Sequence, residues 1–158
     1  MEGREGAGRQ EIEAGFRKPP GERSHRDLQV ISSWLSAQDS LDQMGARRML
    51  EVASVVEMEE HQEGQDIFLE GDESTAFYII FSGSVVVKVK GQEVALLKAG
   101  ETFGELGLDN NTQRTATVQV GEGGAKLVKL WNMSYKHILS KYNMDRMQLK
   151  ASGISAPM

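Results

Sequence analysis

The chain has 158 residues, 39% of them hydrophobic, and a formal net charge of −5 at pH 7. That length suits about one domain with one packed core. The negative balance excludes a general nucleic-acid binder, whose affinity rests on cationic contacts to phosphate. Cysteine is absent, which removes disulfide frames and thiolate metal sites. No apolar run approaches the ~18 residues of a membrane helix. The first residues are charged and lack an apolar signal core. The expectation is a soluble intracellular, cytoplasmic protein with no membrane insertion.

Residues 1–26 mix Gly, Glu and Arg around Pro19-Pro20-Gly21 and carry few apolar side chains, so they read as a flexible tail. Residues 27–58 read as a helical lead-in. Leu28, Ile31, Trp34 and Leu35 fall on one helix face. A second helix is expected from Leu41 onward, capped by Asp39 or Ser40. The acidic group Glu57, Glu59, Glu60 and Glu63 reads as a solvated turn.

Residues 59–132 read as short strands separated by turns. The strand signals are Ile67 to Leu69, Phe77 to Phe81, the alternating Val85, Val87 and Val89, Val94 to Leu97, Thr115 to Val120 and Leu127 to Trp131. Turns are expected at Glu70 to Glu73, Ser82-Gly83-Ser84, Gly91-Gln92 and Gly121 to Gly124. Spacing of this kind predicts a small antiparallel barrel. Residues 133–150 read as a final helix, with Ile138, Leu139, Tyr142 and Met147 on its apolar face, and residues 151–158 as a flexible tail. The fold class is therefore α+β: an antiparallel β jelly-roll barrel flanked by N-terminal helices and a C-terminal helix.

The chemistry concentrates in Phe103 to Val118, FGELGLDNNTQRTATV. Glu105-Leu106-Gly107-Leu108 has the length of one helical turn, whose first N–H groups suit an anion. Arg114 can pair with a phosphate through its fork of donors. Glu105 can accept from a sugar hydroxyl. Buried without partners, either charge would cost several kcal/mol, so they meet each other, water or a ligand. An ion pair across the loop and a site for ribose and phosphate are both open on the residues alone. A cyclic nucleotide needs that acceptor and that cation.

The same segment resembles the phosphate-binding cassette of the cyclic nucleotide-binding domain family, Phe-Gly-Glu-Leu-Ala-Leu followed by Arg-Ala/Thr-Ala-Thr-Val, with Gly107 where alanine is usual. Glu70-Gly71-Asp72-Glu73, Phe77-Tyr78-Ile79-Ile80, Ser82-Gly83-Ser84, Lys98 to Thr102 and Ser134 to Leu139 extend the resemblance from about Leu28 to Lys150. It is nearest in look to the domains of cAMP- and cGMP-dependent protein kinases. The resemblance implies a ligand site of Phe103, Gly104, Glu105, Leu106, Gly107, Arg114, Thr115 and Ala116. Glu105 would take the ribose 2′-hydroxyl, and the N–H groups of Gly104, Leu106 and Gly107 the sugar-phosphate. Arg114 and the Thr115 N–H would take the exocyclic phosphate oxygens. Val85 and Val87 would wall the base or join the core. Thr115 leaves cAMP and cGMP both open. Tyr142, Met147, Leu149 and Ile154 are candidates for a lid over the base or for core packing.

No kinase motif set, second cassette or helix-turn-helix accompanies the barrel, and His25, His61 and His137 are too scattered for a metal site. The expected function is non-catalytic binding of cAMP or cGMP by a regulatory sensor or regulatory subunit-like protein. It would act on a protein effector or partner, with no other cofactor, no metal and no nucleic acid. The alternative is a scaffold or assembly protein that keeps the fold without ligand-dependent signalling.

Overall fold

The computed structural model describes residues 8–38, 41, 45–104 and 112–151, as main chain alone from residue 142 onward. Its elements are α1 (Arg9–Arg17), a 3-10 turn (Pro20–Glu22), α2 (His25–Ser36), α3 (Ala46–Ala53), β1 (Glu57–His61), β2 (Asp66–Phe68), β3 (Ala76–Val89), β4 (Gln92–Lys98), β5 (Thr102–Phe103), β6 (Thr117–Trp131) and α4 (Asn132–Ala151). The six strands pair antiparallel in the order β1-β6-β3-β4, with β2 on β6 and β5 on β3. Helices lie on one side, so the expected antiparallel barrel with flanking helices is the fold. No helix among the described residues is long and apolar enough to cross a membrane.

The two-residue period of a strand builds two cores at once. On β3, Phe77, Ile79 and Phe81 point to the helices and join Ile31, Leu35, Met49, Val52 and Ile138. Ala76, Tyr78 and Ile80 point into the barrel and join Phe103, Val118, Val120 and Leu127. Beyond Ile80 the register shifts twice, between Ile80 and Ser82 and between Gly83 and Val85. The shifts move the inward positions from even to odd numbers. Val85 is consequently buried in the barrel core, at 0% exposure.

Those shifts explain why two expected turns are absent. Ser82-Gly83-Ser84 and Gly121 to Gly124 lie inside the continuous strands β3 and β6. A Cβ on Gly83 would sit 2.1 Å from the Gly124 carbonyl oxygen. The glycines here permit close crossing of two long strands rather than a reversal of the chain. Of the acidic group, Glu63 lies in a turn, but Glu57, Glu59 and Glu60 do not: they belong to the edge strand β1, where Glu59 reaches Lys129 at 3.3 Å and His61 at 2.9 Å. Charged side chains are a common means of protecting a strand edge.

The flexible reading of residues 1–26 fails from Gly8 onward. Phe16 of α1 is 3% exposed and meets Trp34 and Phe81 edge-on at ring separations of 5.8 and 6.0 Å. Arg9 donates to the Phe81 carbonyl at 2.6 Å, and Glu13 pairs with Lys126 of β6 at 2.6 Å. Arg23 closes the arrangement. Its guanidinium donates to the carbonyls of Gly15 and Phe16 at the end of α1, of Ala53 at the end of α3 and of Val56 just before β1. Terminal carbonyls of two helices thus find their partner in one side chain.

The lead-in also starts earlier than residue 27. Ser24 caps α2 in a reciprocal box with Asp27: each accepts from the other's backbone N–H, at 3.0 and 2.8 Å. Lys18 donates to the same carboxylate at 2.6 Å. Together, Lys18 first and Ser24 second, they hold the Asp27 carboxyl down at about 2. The second helix begins at Ala46, after Gly45 at φ 84°, rather than at Leu41. Asp39 and Ser40 lie outside the described residues, as do residues 152–158.

Candidate functional site

The cleft forms where β2, β5, the Arg114 segment and the first part of β6 meet. Phe103 pairs with Tyr78 of β3, and Gly104 follows it at φ 86°. A Cβ on Gly104 would lie 2.8 Å from the Ala76 carbonyl oxygen and 2.9 Å from Arg114 Nη1. Only glycine lets the main chain leave β5 this close to the arginine.

Arg114 is held by its main chain and its side chain. Its N–H donates to the Asp72 carbonyl at 2.7 Å, and its own carbonyl accepts from Gly71 at 2.8 Å. The neighbouring Thr112 carbonyl accepts from Ser74, and Glu73 bridges Gln113. Residues 112–114 are thereby zipped to the turn before β3. At the side chain, Nη2 donates to the Ala76 carbonyl at 2.7 Å, and the guanidinium lies over the Phe68 ring, 3.9 Å from its centroid. Arg114 is 8% exposed.

The cleft beside this group has a volume of about 210 Å³ and is open on one side. Its lining includes Phe103, Gly104, Arg114, Thr115 and Ala116, together with Phe68, Val87 and Val118. Five of the expected site residues therefore gather on one concavity. Glu105, Leu106 and Gly107 lie outside the described residues, as do the lid candidates' side chains and Ile154. The two valines separate: Val87 is half-buried and lines the cleft, whereas Val85 belongs to the core and takes no part in the lining. Both face into the barrel; Val87 stands two residues further along β3, nearer the cleft end.

Behind the cleft, Tyr78 stacks flat on Phe103, with centroids 4.9 Å apart and planes 9° apart. Burial, then the Glu59 carboxylate, push the Tyr78 phenol up to about 12, against a smaller opposing effect of Arg114. Tyr78 therefore stays neutral at any physiological pH and acts as a wall.

A sequence model of the cyclic nucleotide-binding domain matches residues 58–142, more than half of the chain. The chain belongs to the cyclic nucleotide-binding domain family. Among curated proteins it is similar to mouse Rap guanine nucleotide exchange factor 3, at 30% identity over 144 residues. The match covers 90% of this chain and 16% of the exchange factor. Among solved structures it resembles the regulatory domain of Toxoplasma gondii PKA, determined with cAMP. That match has a TM-score of 0.64 at 32% identity and covers 80% of this chain and 50% of the other. It also resembles the regulatory subunit of a cAMP-independent protein kinase A from Trypanosoma brucei, a mutant of which was solved with cAMP in the A site. There the TM-score is 0.66 at 25% identity, with 83% and 48% covered. The chain thus spans about a sixth of the exchange factor's length and half of the kinase regulatory domain.

Phe68 of the cleft and Arg23 of the scaffold both escaped the sequence reading. Phe68 was only one of three apolar residues in a strand signal, and nothing local marks it as the partner of a distant cation. Arg23 sat in a stretch read as a tail. The Ser24-to-Asp27 box just after it was the available signal that a helix begins there.

Proposed function

We propose that this chain binds a cyclic nucleotide reversibly, without catalysis, as the sensor of a regulatory protein. The observation that carries the reading is the seat of Arg114. A cation 92% removed from solvent borders a cleft made by Phe103, Gly104, Thr115 and Ala116. A phosphate on Arg114 would form charge-assisted bonds in a low-dielectric setting, where they are strongest. Thr115 N–H would assist, Glu105 would take the ribose hydroxyl, and Val87 would face the base.

Signalling has a route in the same hydrogen bonds. The Ala76 carbonyl accepts from Arg114, and the adjacent Thr75 carbonyl accepts from the N–H of Asn132, the first residue of α4, at 2.9 Å. A ligand held by Arg114 would bear on one peptide unit, and α4 is attached to the next. Binding one arrangement more tightly would shift the population toward it. A protein effector would read the helix.

The similarity to a cAMP-independent kinase subunit supports a second reading, a scaffold that keeps the fold without ligand-dependent signalling. A thermal-shift series with cAMP and cGMP separates the two. A binder gains RT ln(1 + [L]/Kd), about 2.7 kcal/mol at a hundredfold excess over Kd. The sensor reading predicts a saturable rise in Tm with at least one nucleotide. No rise at millimolar concentration of either would leave the scaffold. Thr115→Ala should lower cGMP affinity a few-fold more than cAMP affinity if its hydroxyl meets the guanine amino group. Equal loss for both would remove Thr115 from selectivity.

A further inference from the structure

Arg114 presents two distinct surfaces, the N–H edges in its plane and the flat faces above and below. Edge and face carry different chemistry, because only the edge can donate hydrogen bonds. In this structure one face is covered by Phe68 at 3.9 Å, and the Ala76 carbonyl takes a bond from Nη2 in the plane. Phe68 is in turn fixed by neighbours. Its ring meets Phe103 at 5.9 Å and Tyr78 at 6.2 Å, and those two rings are themselves stacked. The arginine thus rests on the end of a three-ring cluster that belongs to the barrel core.

We propose that Phe68 is a positioning residue for nucleotide binding: its ring fixes the plane of the Arg114 guanidinium so that the edge is presented to a phosphate in the cleft. The role rests on the reading of the cleft as a nucleotide site. Three features of the geometry support it. A cation over an aromatic face gains most when water is excluded, as it is at this burial. The attraction runs perpendicular to the guanidinium plane and does not compete with in-plane donors. Finally, Phe68 itself lines the cleft, so a ligand entering it meets the ring and the arginine together. A guanidinium already aligned in the ligand-free state loses less freedom on binding, which is the benefit of preorganisation. An aliphatic side chain of similar size would fill the space without holding the plane.

The test compares Phe68→Leu, which keeps the apolar bulk, with Phe68→Tyr, which keeps the ring. Affinity for cAMP and cGMP is measured by calorimetry on the full chain. Phe68→Leu should weaken the preferred nucleotide about tenfold, while Phe68→Tyr stays within about twofold of wild type. A second readout needs no ligand. The Arg114 side-chain protons should show an upfield ring-current displacement in the NMR spectrum of the free protein, retained in Phe68→Tyr and lost in Phe68→Leu. A wild type that binds while Phe68→Leu binds equally well overturns the role and leaves the nucleotide reading intact. Equal weakening by both variants overturns it as well, because shape and not the ring would then matter. Absence of the ring-current displacement in wild type removes the seat directly. A wild type that binds neither nucleotide overturns the nucleotide reading, and the positioning role with it.

Discussion

Arg23 and Arg114 are each 8% exposed, yet they serve different purposes. Arg23 donates to four main-chain carbonyls, at the ends of α1 and α3 and just before β1. Burial lowers its pKa, an effect that Asp27 and Glu57 partly offset. Its chemistry is turned inward on the scaffold. Arg114 rests one face on Phe68, gives a bond to Ala76, and borders a cleft. Burial alone therefore says little about what an arginine does. What separates the two is whether the guanidinium is enclosed by backbone acceptors or set against a concavity.

The largest effect should come from the scaffold arginine. Arg23→Met removes the side-chain donor from the Phe16, Ala53 and Val56 carbonyls, whereas Gly15 keeps the Lys18 N–H, and each buried orphan costs about 1–3 kcal/mol. A loss of about 4 kcal/mol in urea unfolding is expected. Nucleotide affinity, measured well below the melting temperature, should be unchanged. A loss below about 1 kcal/mol would show that α1 is not part of the folded unit.

Gly104→Ala tests the other arginine through its neighbour. The φ of 86° and the approach of 2.8 Å to the Ala76 carbonyl both oppose a methyl group. The site should be strained by about 2 kcal/mol, read as weaker nucleotide binding with a smaller loss of stability. Wild-type affinity in this variant would mean that the geometry around Arg114 is not needed for binding.

The smallest effect is electrostatic and belongs to the scaffold. Asp27 is held at about 2 against an ordinary value of 3.8, so its contribution is complete above pH 3.8 and disappears as the pH falls through 2. The exposed Lys18 partner limits it to about 1 kcal/mol. Asp27→Asn should remove that part of the acid dependence of stability between pH 4 and about 2. An unchanged acid slope would contradict the assignment.

The two regions were unequally legible in the sequence. Arg114 stands out because glycines, a carboxylate and hydroxylic residues surround it within a short run. The strands were visible through their two-residue period. Their joins were not, because glycine ordinarily marks a turn, whereas Gly83 and Gly124 serve the close crossing of β3 and β6. α1 was illegible for another reason. Ile12 and Phe16 are its only large apolar residues, and its stability comes from Arg9, Glu13 and Arg23 reaching residues far away in sequence. Phe68 was missed on the same grounds. A contact between a ring on β2 and a cation far along the chain leaves no local pattern.

Calorimetric titration of wild type and Arg114→Ala, side by side, with cAMP and then cGMP, tests the central claim most directly. Wild type should show saturable binding to at least one nucleotide. Arg114→Ala, still folded by its unfolding transition, should lose about a hundredfold in affinity. Equal affinity in the two proteins, or no binding by wild type, would contradict the assignment of Arg114 to the phosphate.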